Sequence, residues 1–192
     1  MVEMTVGESN PIPKYMHKYY NPLVGNRMVE LGNKKTHGVT YKEYFESIGF
    51  EHVSIDWNGM NPKCLQLDLQ KPIDLGQFDM VTNIGTTEHV ETQRGVWENI
   101  HNFCKVGGTF ISSTPIEGDW WWHGIWYPRE SFYEQFAERN GYEIELMGYE
   151  MKDPRRALTV RMKKLSHETF TMPDDDTLFH NIRKPRNNLI RT

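Results

Sequence analysis

A chain of 192 residues with 38% hydrophobic and 25% charged side chains is long enough for one well-buried domain, and its composition is neither that of a disordered chain nor that of a fibrous repeat. A formal net charge of -4 gives no overall attraction to nucleic acid or to an anionic membrane, so either partner would need a local basic patch. No run of eighteen apolar residues and no basic-then-apolar leader occurs, and Cys64 and Cys104 lack the spacing of a metal site, so a cytoplasmic protein with reduced thiols and no metal centre is expected.

Residues 1–26 hold Pro11, Pro13 and Pro22 among several tyrosines and suit a lead-in with a short helix at Lys14 to Tyr20. The pattern becomes regular from Arg27. "RMVELG" reads as a strand ending at Gly32, "VTYKEYFESIGF" puts Tyr41, Tyr44, Phe45 and Ile48 at helical spacing, and "EHVSIDWNG" reads as a second strand. "KCLQLDL" is expected as a third strand, and the apolar run "FDMVTNIG" as a fourth in the middle of a parallel sheet. A helix with Val96, Ile100 and Phe103 on one face should stop at Gly107 and Gly108, before a fifth strand in "TFISSTP". "PRESFYEQFAERNGY" predicts a further helix, and "YEIELMGYEM" with "RALTVRMKKL" an antiparallel hairpin about "KDPR". Together these elements predict a doubly wound, mostly parallel, seven-stranded α/β sheet of Rossmann-like type with an antiparallel C-terminal hairpin, spanning 27–165. Beyond it, 166–192 is polar and closes on the basic "HNIRKPRNNLIRT", read as a solvated or disordered end, a basic arm or a dimer-swapped segment.

In an open parallel sheet, ligands bind beyond the carboxyl ends of the strands. Those ends carry Glu30 with Gly32, Asp56, Asp68, and Asn83 with Gly85. Asp56 lies 24 residues past Gly32, where an acid is placed to accept hydrogen bonds from ribose hydroxyls. Asp56 and Asp68 also suit simple turns, and Trp57 suits either stacking on an adenine or covering the sheet edge.

The motif "TTEHV", Thr86 to Val90, follows the fourth predicted strand, "FCKVGGTFI" precedes the fifth, and "WYPRESFYEQFAERNGYEIE" comes later. In this order they resemble the class I S-adenosylmethionine-dependent methyltransferases, in particular the small-molecule type with an "LEHV"-like signature. The resemblance implies that S-adenosylmethionine is the cofactor. Carried across position by position, it implies that Glu30, Gly32 and Asn33 flank the methionine part, Asp56 holds the ribose, Asp68 and Leu69 meet the adenine, and Asn83 lies near the sulfonium. Glu88 and His89 match the signature's Glu-His, which makes His89 the candidate base.

The first loop departs from that family's glycine-rich pattern, because Gly32 is followed by Asn33, Lys34, Lys35, Thr36 and His37. Asn33 can take a left-handed turn in place of a glycine. The lysines suit solvent, contact with a cofactor carboxylate, or a filled pocket, and a filled pocket would make the protein an inactive methyltransferase-like binding module. No GxGxxG is present for a nicotinamide cofactor.

"EGDWWWHGIWYP", Glu117 to Pro128, gathers four Trp, one Tyr and one His. Trp120, Trp121 and Trp122 could wall an acceptor pocket with His123 or Tyr127 as polar handle, or the loop could be a hydrophobic plug or a homodimer contact. The expected activity is methyl transfer to a small or sugar-like acceptor. Methylation of nucleic acid gripped by "IRKPRNNLIR" is a weaker alternative, given the acidic total.

Overall fold

The computed structural model describes residues 11–36, 38–57, 63–152 and 154–181. Its centre is a six-stranded sheet of β1 (Arg27–Leu31), β2 (Glu51–Ile55), β3 (Phe78–Ile84), β4 (Cys104–Pro115), β5 (Tyr142–Lys152) and β6 (Arg155–Lys164). The spatial order is β2-β1-β3-β4-β6-β5; the first four run parallel, and β6 pairs antiparallel with both β4 and β5. The predicted hairpin is therefore present, although Asp153 of its turn lies outside the described residues.

Alternation along the strands builds a core on each face of the sheet. Val29 and Leu31 of β1, Val81 of β3 and Phe110 of β4 pack with Val96, Trp97, Ile100 and Phe103 of α2 (Gln93–Phe103) and Phe132 and Phe136 of α3 (Glu130–Asn140). Met28, Met80 and Ile111 turn the other way, against Tyr41 and Phe45 of α1 (Tyr41–Ser47) and Met16, Tyr19 and Tyr20 of the lead-in. All seven residues of β3 are buried, as its apolar run predicts for a central strand.

Helix α1 starts where Thr40 Oγ1 accepts the Glu43 N–H at 3.1 Å and the Glu43 carboxylate accepts the Thr40 N–H at 2.9 Å. This reciprocal cap satisfies two otherwise orphaned donors. The lead-in, a 3₁₀ turn at Lys14–Met16 running into the helical turn His17–Tyr20, is tied to the hairpin. Arg161 of β6 donates to Tyr19 O at 2.8 Å and Pro22 O at 3.1 Å, and Tyr19 donates to Glu150 of β5 at 2.7 Å.

Three expectations need correction. "KCLQLDL" forms no strand; Leu65 makes one isolated parallel bridge to Ile55. No helix lies between Ile55 and Phe78 among the described residues, although the chain returns over the sheet there to enter β3 parallel to β2. Secondly, α2 ends at Phe103 and β4 begins at Cys104, with Gly107 and Gly108 inside a register break rather than at a helix stop. Thirdly, residues 166–181 pack on the domain. Asn140 pairs with Thr171 through both its amide atoms at 2.7 and 2.9 Å, and Leu178–His180 forms an antiparallel ribbon with Trp126–Pro128. The basic residues 183–192 lie outside the described residues, and among the described residues no helix is long and apolar enough to cross a membrane.

Candidate functional site

The carboxyl ends of β1, β2 and β3 open on a cavity of about 630 Å³. Gly32, Asp56, Trp57, Asp68, Leu69 and His89 line it, so six of the side chains or backbone positions chosen from the sequence meet there. Gly85, Thr86 and Val90, which the sequence also marks, lie in the same wall, and Gln70, Glu91 and Ile125 were not anticipated. The volume suits a small-molecule site, for which about 300–1,000 Å³ is usual.

Gly32 turns the chain out of β1 at a φ of +85°. A Cβ there would meet Thr86 Oγ1 at 2.5 Å, while that hydroxyl donates to Leu31 O at 2.7 Å. The absent side chain thus lets the loops after β1 and β3 touch. Beyond Gly32 the chain makes a small ribbon, Lys35–Thr36 against Val39–Thr40, in place of a glycine-rich cradle; His37 lies outside the described residues. Lys35 is exposed, Lys34 faces a second chamber, and neither lines the 630 Å³ cavity.

Glu30 is fully buried beneath this turn rather than in the cavity wall. It follows Met28 onto the α1 face, where its Oε1 accepts the Lys34 N–H at 3.0 Å and its Oε2 lies 3.7 Å from His52 Nε2. Burial pushes the Glu30 carboxyl up to about 8, and burial together with Lys42 pulls His52 down to about 3. At neutral pH the pair is a protonated acid facing a neutral imidazole.

Asn83 is also turned inward. Its amide donates to Thr87 Oγ1 and Ser112 Oγ, each at 2.9 Å, and its carbonyl accepts the Thr86 and Thr87 N–H groups. It shapes the turn after β3 and does not line the cavity. Asp68 does line it, while accepting the Gln70 N–H at 3.1 Å, the contact that chiefly holds its carboxyl below the ordinary value. Both the turn and the wall readings of Asp68 apply. Trp57 stands 70% exposed at the lip, and Asn33 borders neither space.

The Thr86–Val90 motif forms a 3₁₀ turn at Thr87–His89, clamped from below by Gln93, whose amide donates to Thr87 O at 2.9 Å and Val90 O at 2.7 Å. This turn divides two spaces. Behind it a chamber of about 90 Å³ is lined by Lys34, Glu88, Ser113, Thr114, Trp120, His123 and Lys152, and Gly85 and His89 border both. Glu88 is fully buried, its Oε1 at 3.5 Å from His123 Nε2 and 3.8 Å from His89 Nε2. Neither of its oxygens has a hydrogen-bond partner among the described residues.

The aromatic loop closes on this turn through Gly124, where a Cβ would lie 2.7 Å from Glu88 Cγ. The Ile125 N–H donates to Glu88 O at 2.6 Å. Tyr127 is 2% exposed and braces the loop: its hydroxyl donates to Trp120 O and accepts from the Gly124 N–H at 3.0 Å and Asn181 Nδ2 at 2.9 Å. A hydroxyl so occupied cannot serve as an acceptor handle. Trp121 and Trp122 project outward at 61% and 57% exposure, whereas Trp120 and His123 line the small chamber. Of the five residues expected to form an acceptor pocket, Trp120 and His123 line this chamber. Lys152 was missed because it lies at the end of a strand that periodicity marks only as hairpin.

The six-stranded sheet with its antiparallel β5–β6 edge is the fold of the solved methyltransferases that this chain resembles. Residues 24–112 match the family model described as a methyltransferase domain, and that stretch covers β1 to most of β4. Solved structures agree. A Burkholderia thailandensis 1,6-didemethyltoxoflavin-N1-methyltransferase with bound 1,6-didemethyltoxoflavin and S-adenosylhomocysteine is 13% identical, with a TM-score of 0.54 over 73% of this chain and 71% of that one. An O-methyltransferase from a trans-AT polyketide multienzyme of Brevibacillus brevis, in complex with S-adenosyl-L-homocysteine, is 11% identical, with a TM-score of 0.51 over 74% and 67%. A Bacillus halodurans putative methyltransferase is 11% identical, with a TM-score of 0.53 over 80% and 98%. At these identities the likeness is one of fold. A search of curated proteins finds no match.

Proposed function

We propose that the protein transfers a methyl group from S-adenosylmethionine to a small-molecule acceptor. One observation carries this reading: the strand-end cavity and the Glu88 chamber lie on the two sides of one turn and share Gly85 and His89 in their walls. A cofactor in the first space and an acceptor in the second would face each other there. In-line displacement at carbon requires that alignment and exclusion of water more than it requires side-chain chemistry.

The residues at the larger cavity fit the cofactor. Asp56 offers a carboxylate at its lip for vicinal hydroxyls, Leu67, Leu69 and Ile55 supply apolar surface for an aromatic base, and Trp57 stands where it can stack. S-adenosylmethionine supplies an electrophilic methyl group when bound. This chain's own part is to hold the acceptor and take its proton. His89 stands at the junction as the base, and the buried Glu88 carboxylate stabilises a positive charge on His89 or His123. Lys34 and Lys152 give the chamber a cationic side suited to an acceptor that carries an acidic group.

The test is methyl transfer from isotopically labelled S-adenosylmethionine to a panel of small hydroxyl and amine compounds, with and without carboxylates. Transfer to at least one member, lost in His89→Ala with folding intact, is expected. Transfer unaffected by that substitution would remove His89 from the mechanism.

A further inference from the structure

The Glu88 chamber contains a donor set that proton transfer alone does not explain. Glu88 Oε1, His89 Nε2 and His123 Nε2 come from two segments, the turn after β3 and the aromatic loop, and one ligand atom from each lies within 4.8 Å of the other two. The carboxylate is fully buried with both oxygens lacking a hydrogen-bond partner among the described residues, an expensive arrangement for an acid that merely fills space. The loop reaches it only because Gly124 has no side chain.

We propose that Glu88, His89 and His123 bind a divalent metal ion of the zinc class. Two imidazole nitrogens and one carboxylate with an open position is a donor set zinc uses where it also holds a water or substrate oxygen. Ligand bonds of about 2.0–2.2 Å place tetrahedral donors about 3.4 Å apart. The two separations from Glu88 Oε1, 3.5 and 3.8 Å, need only small side-chain rotations to reach this. Ser113, Thr114 and Gly85 line the same chamber beside these donors.

Lys34 and Lys152 line the same chamber and oppose a cation, but neither forms an ion pair with Glu88 among the described residues. An acceptor with a hydroxyl and an acidic group would satisfy both: its oxygen on the metal, where its proton leaves to solvent more readily and His89, held as a ligand, no longer acts as the base, and its acid on the lysines. This role rests on the methyl-transfer reading; the metal site does not.

The experiment is equilibrium dialysis of the purified full chain against zinc alone, with bound metal measured by atomic emission and folding checked by circular dichroism. One zinc per chain is expected in the wild type, with affinity falling at least tenfold in His123→Ala, a half-exposed position, and in Glu88→Gln. Uptake by the wild type no greater than by His123→Ala would overturn the site, as would stoichiometric zinc retained by both variants. S-adenosylhomocysteine is titrated separately into metal-free protein. Failure of that titration alone would remove the cofactor reading and leave the metal site standing, whereas failure of zinc binding alone would do the reverse.

Discussion

Replacing Gly124 with alanine isolates the contact that joins the aromatic loop to the Thr86–Val90 turn. The new Cβ would lie 2.7 Å from Glu88 Cγ, 2.8 Å from its Cβ and 2.9 Å from its carbonyl oxygen. Carbon atoms are in best contact at about 3.5–4.0 Å, so either the loop or the turn must shift by more than half an ångström. The φ at Gly124 lies outside the left-handed region, so the cost is one of space alone. Neither side yields easily. Ile125 N–H to Glu88 O and Asn181 Nδ2 to Gly124 O, at 2.6 and 2.9 Å, hold the loop, while Gln93 and Asn83 hold the turn. Overpacking of this kind costs about 1–3 kcal/mol. For a chain of this size each kcal/mol corresponds to about 2–4 °C, so a fall in Tm of about 2–12 °C is predicted, read by differential scanning calorimetry. The Glu88 carboxylate should move with it, and methyl transfer should fall by more than the loss of folded protein explains. A Tm within about 1 °C of wild type would refute the close packing of the loop on Glu88.

Stability should depend on pH through the buried Glu30–His52 pair. The folded-state pKa of Glu30 is raised from 4.5 to about 8, so folded protein holds this proton more tightly than unfolded protein does, and the contribution is lost as pH rises to about 8. His52 is depressed from 6.5 to about 3, so its contribution is lost as pH falls through that interval. The two offset each other between about 4.5 and 6.5, and Glu30 acts alone between about 6.5 and 8. Urea midpoints should therefore fall across the upper window and stay flatter in Glu30→Gln; equal slopes would show that Glu30 is ionised in the folded protein. Tyr127→Phe leaves Gly124 N–H and Asn181 without their shared acceptor and should cost about 1–3 kcal/mol by urea denaturation. An unchanged midpoint would show that the brace is not used. Neither Lys34→Ala nor Lys35→Ala should alter S-adenosylhomocysteine affinity by as much as threefold in a calorimetric titration, since neither residue lines the larger cavity; a gain in either would restore the blocked-pocket reading.

Strand periodicity and strand-end chemistry were legible in the sequence wherever a residue's role depends on its own element. The fully buried β3, helix α1 and the hairpin follow from patterns a few residues long, and Gly32 and Asp56 fall in the cavity wall because strand ends point there, whereas Asp68 reaches it from a turn. Roles that depend on which way a side chain alternates were harder to read. Glu30 and Asn83 end strands as expected, yet both turn inward, because the period of two sends Glu30 beneath α1 and the turn after β3, together with Ser112 of β4, engages both amide atoms of Asn83. Contacts between distant segments were not legible at all. Nothing local in Gly124, Tyr127 or Asn181 announces that residues far apart in the chain meet over Glu88. The stretch at 63–69 has an alternating pattern, yet among the described residues it meets the sheet through a single bridge of Leu65 to Ile55.

The most direct measurement is a calorimetric titration of the wild type and Asp56→Ala with S-adenosylhomocysteine. Micromolar binding by the wild type is predicted, weakened about ten- to a hundredfold in the variant, as expected for losing hydrogen bonds to a charged group worth about 1.5–3 kcal/mol. Absence of binding by the wild type, or equal affinity in the two proteins, would contradict the assignment of the strand-end cavity to the cofactor.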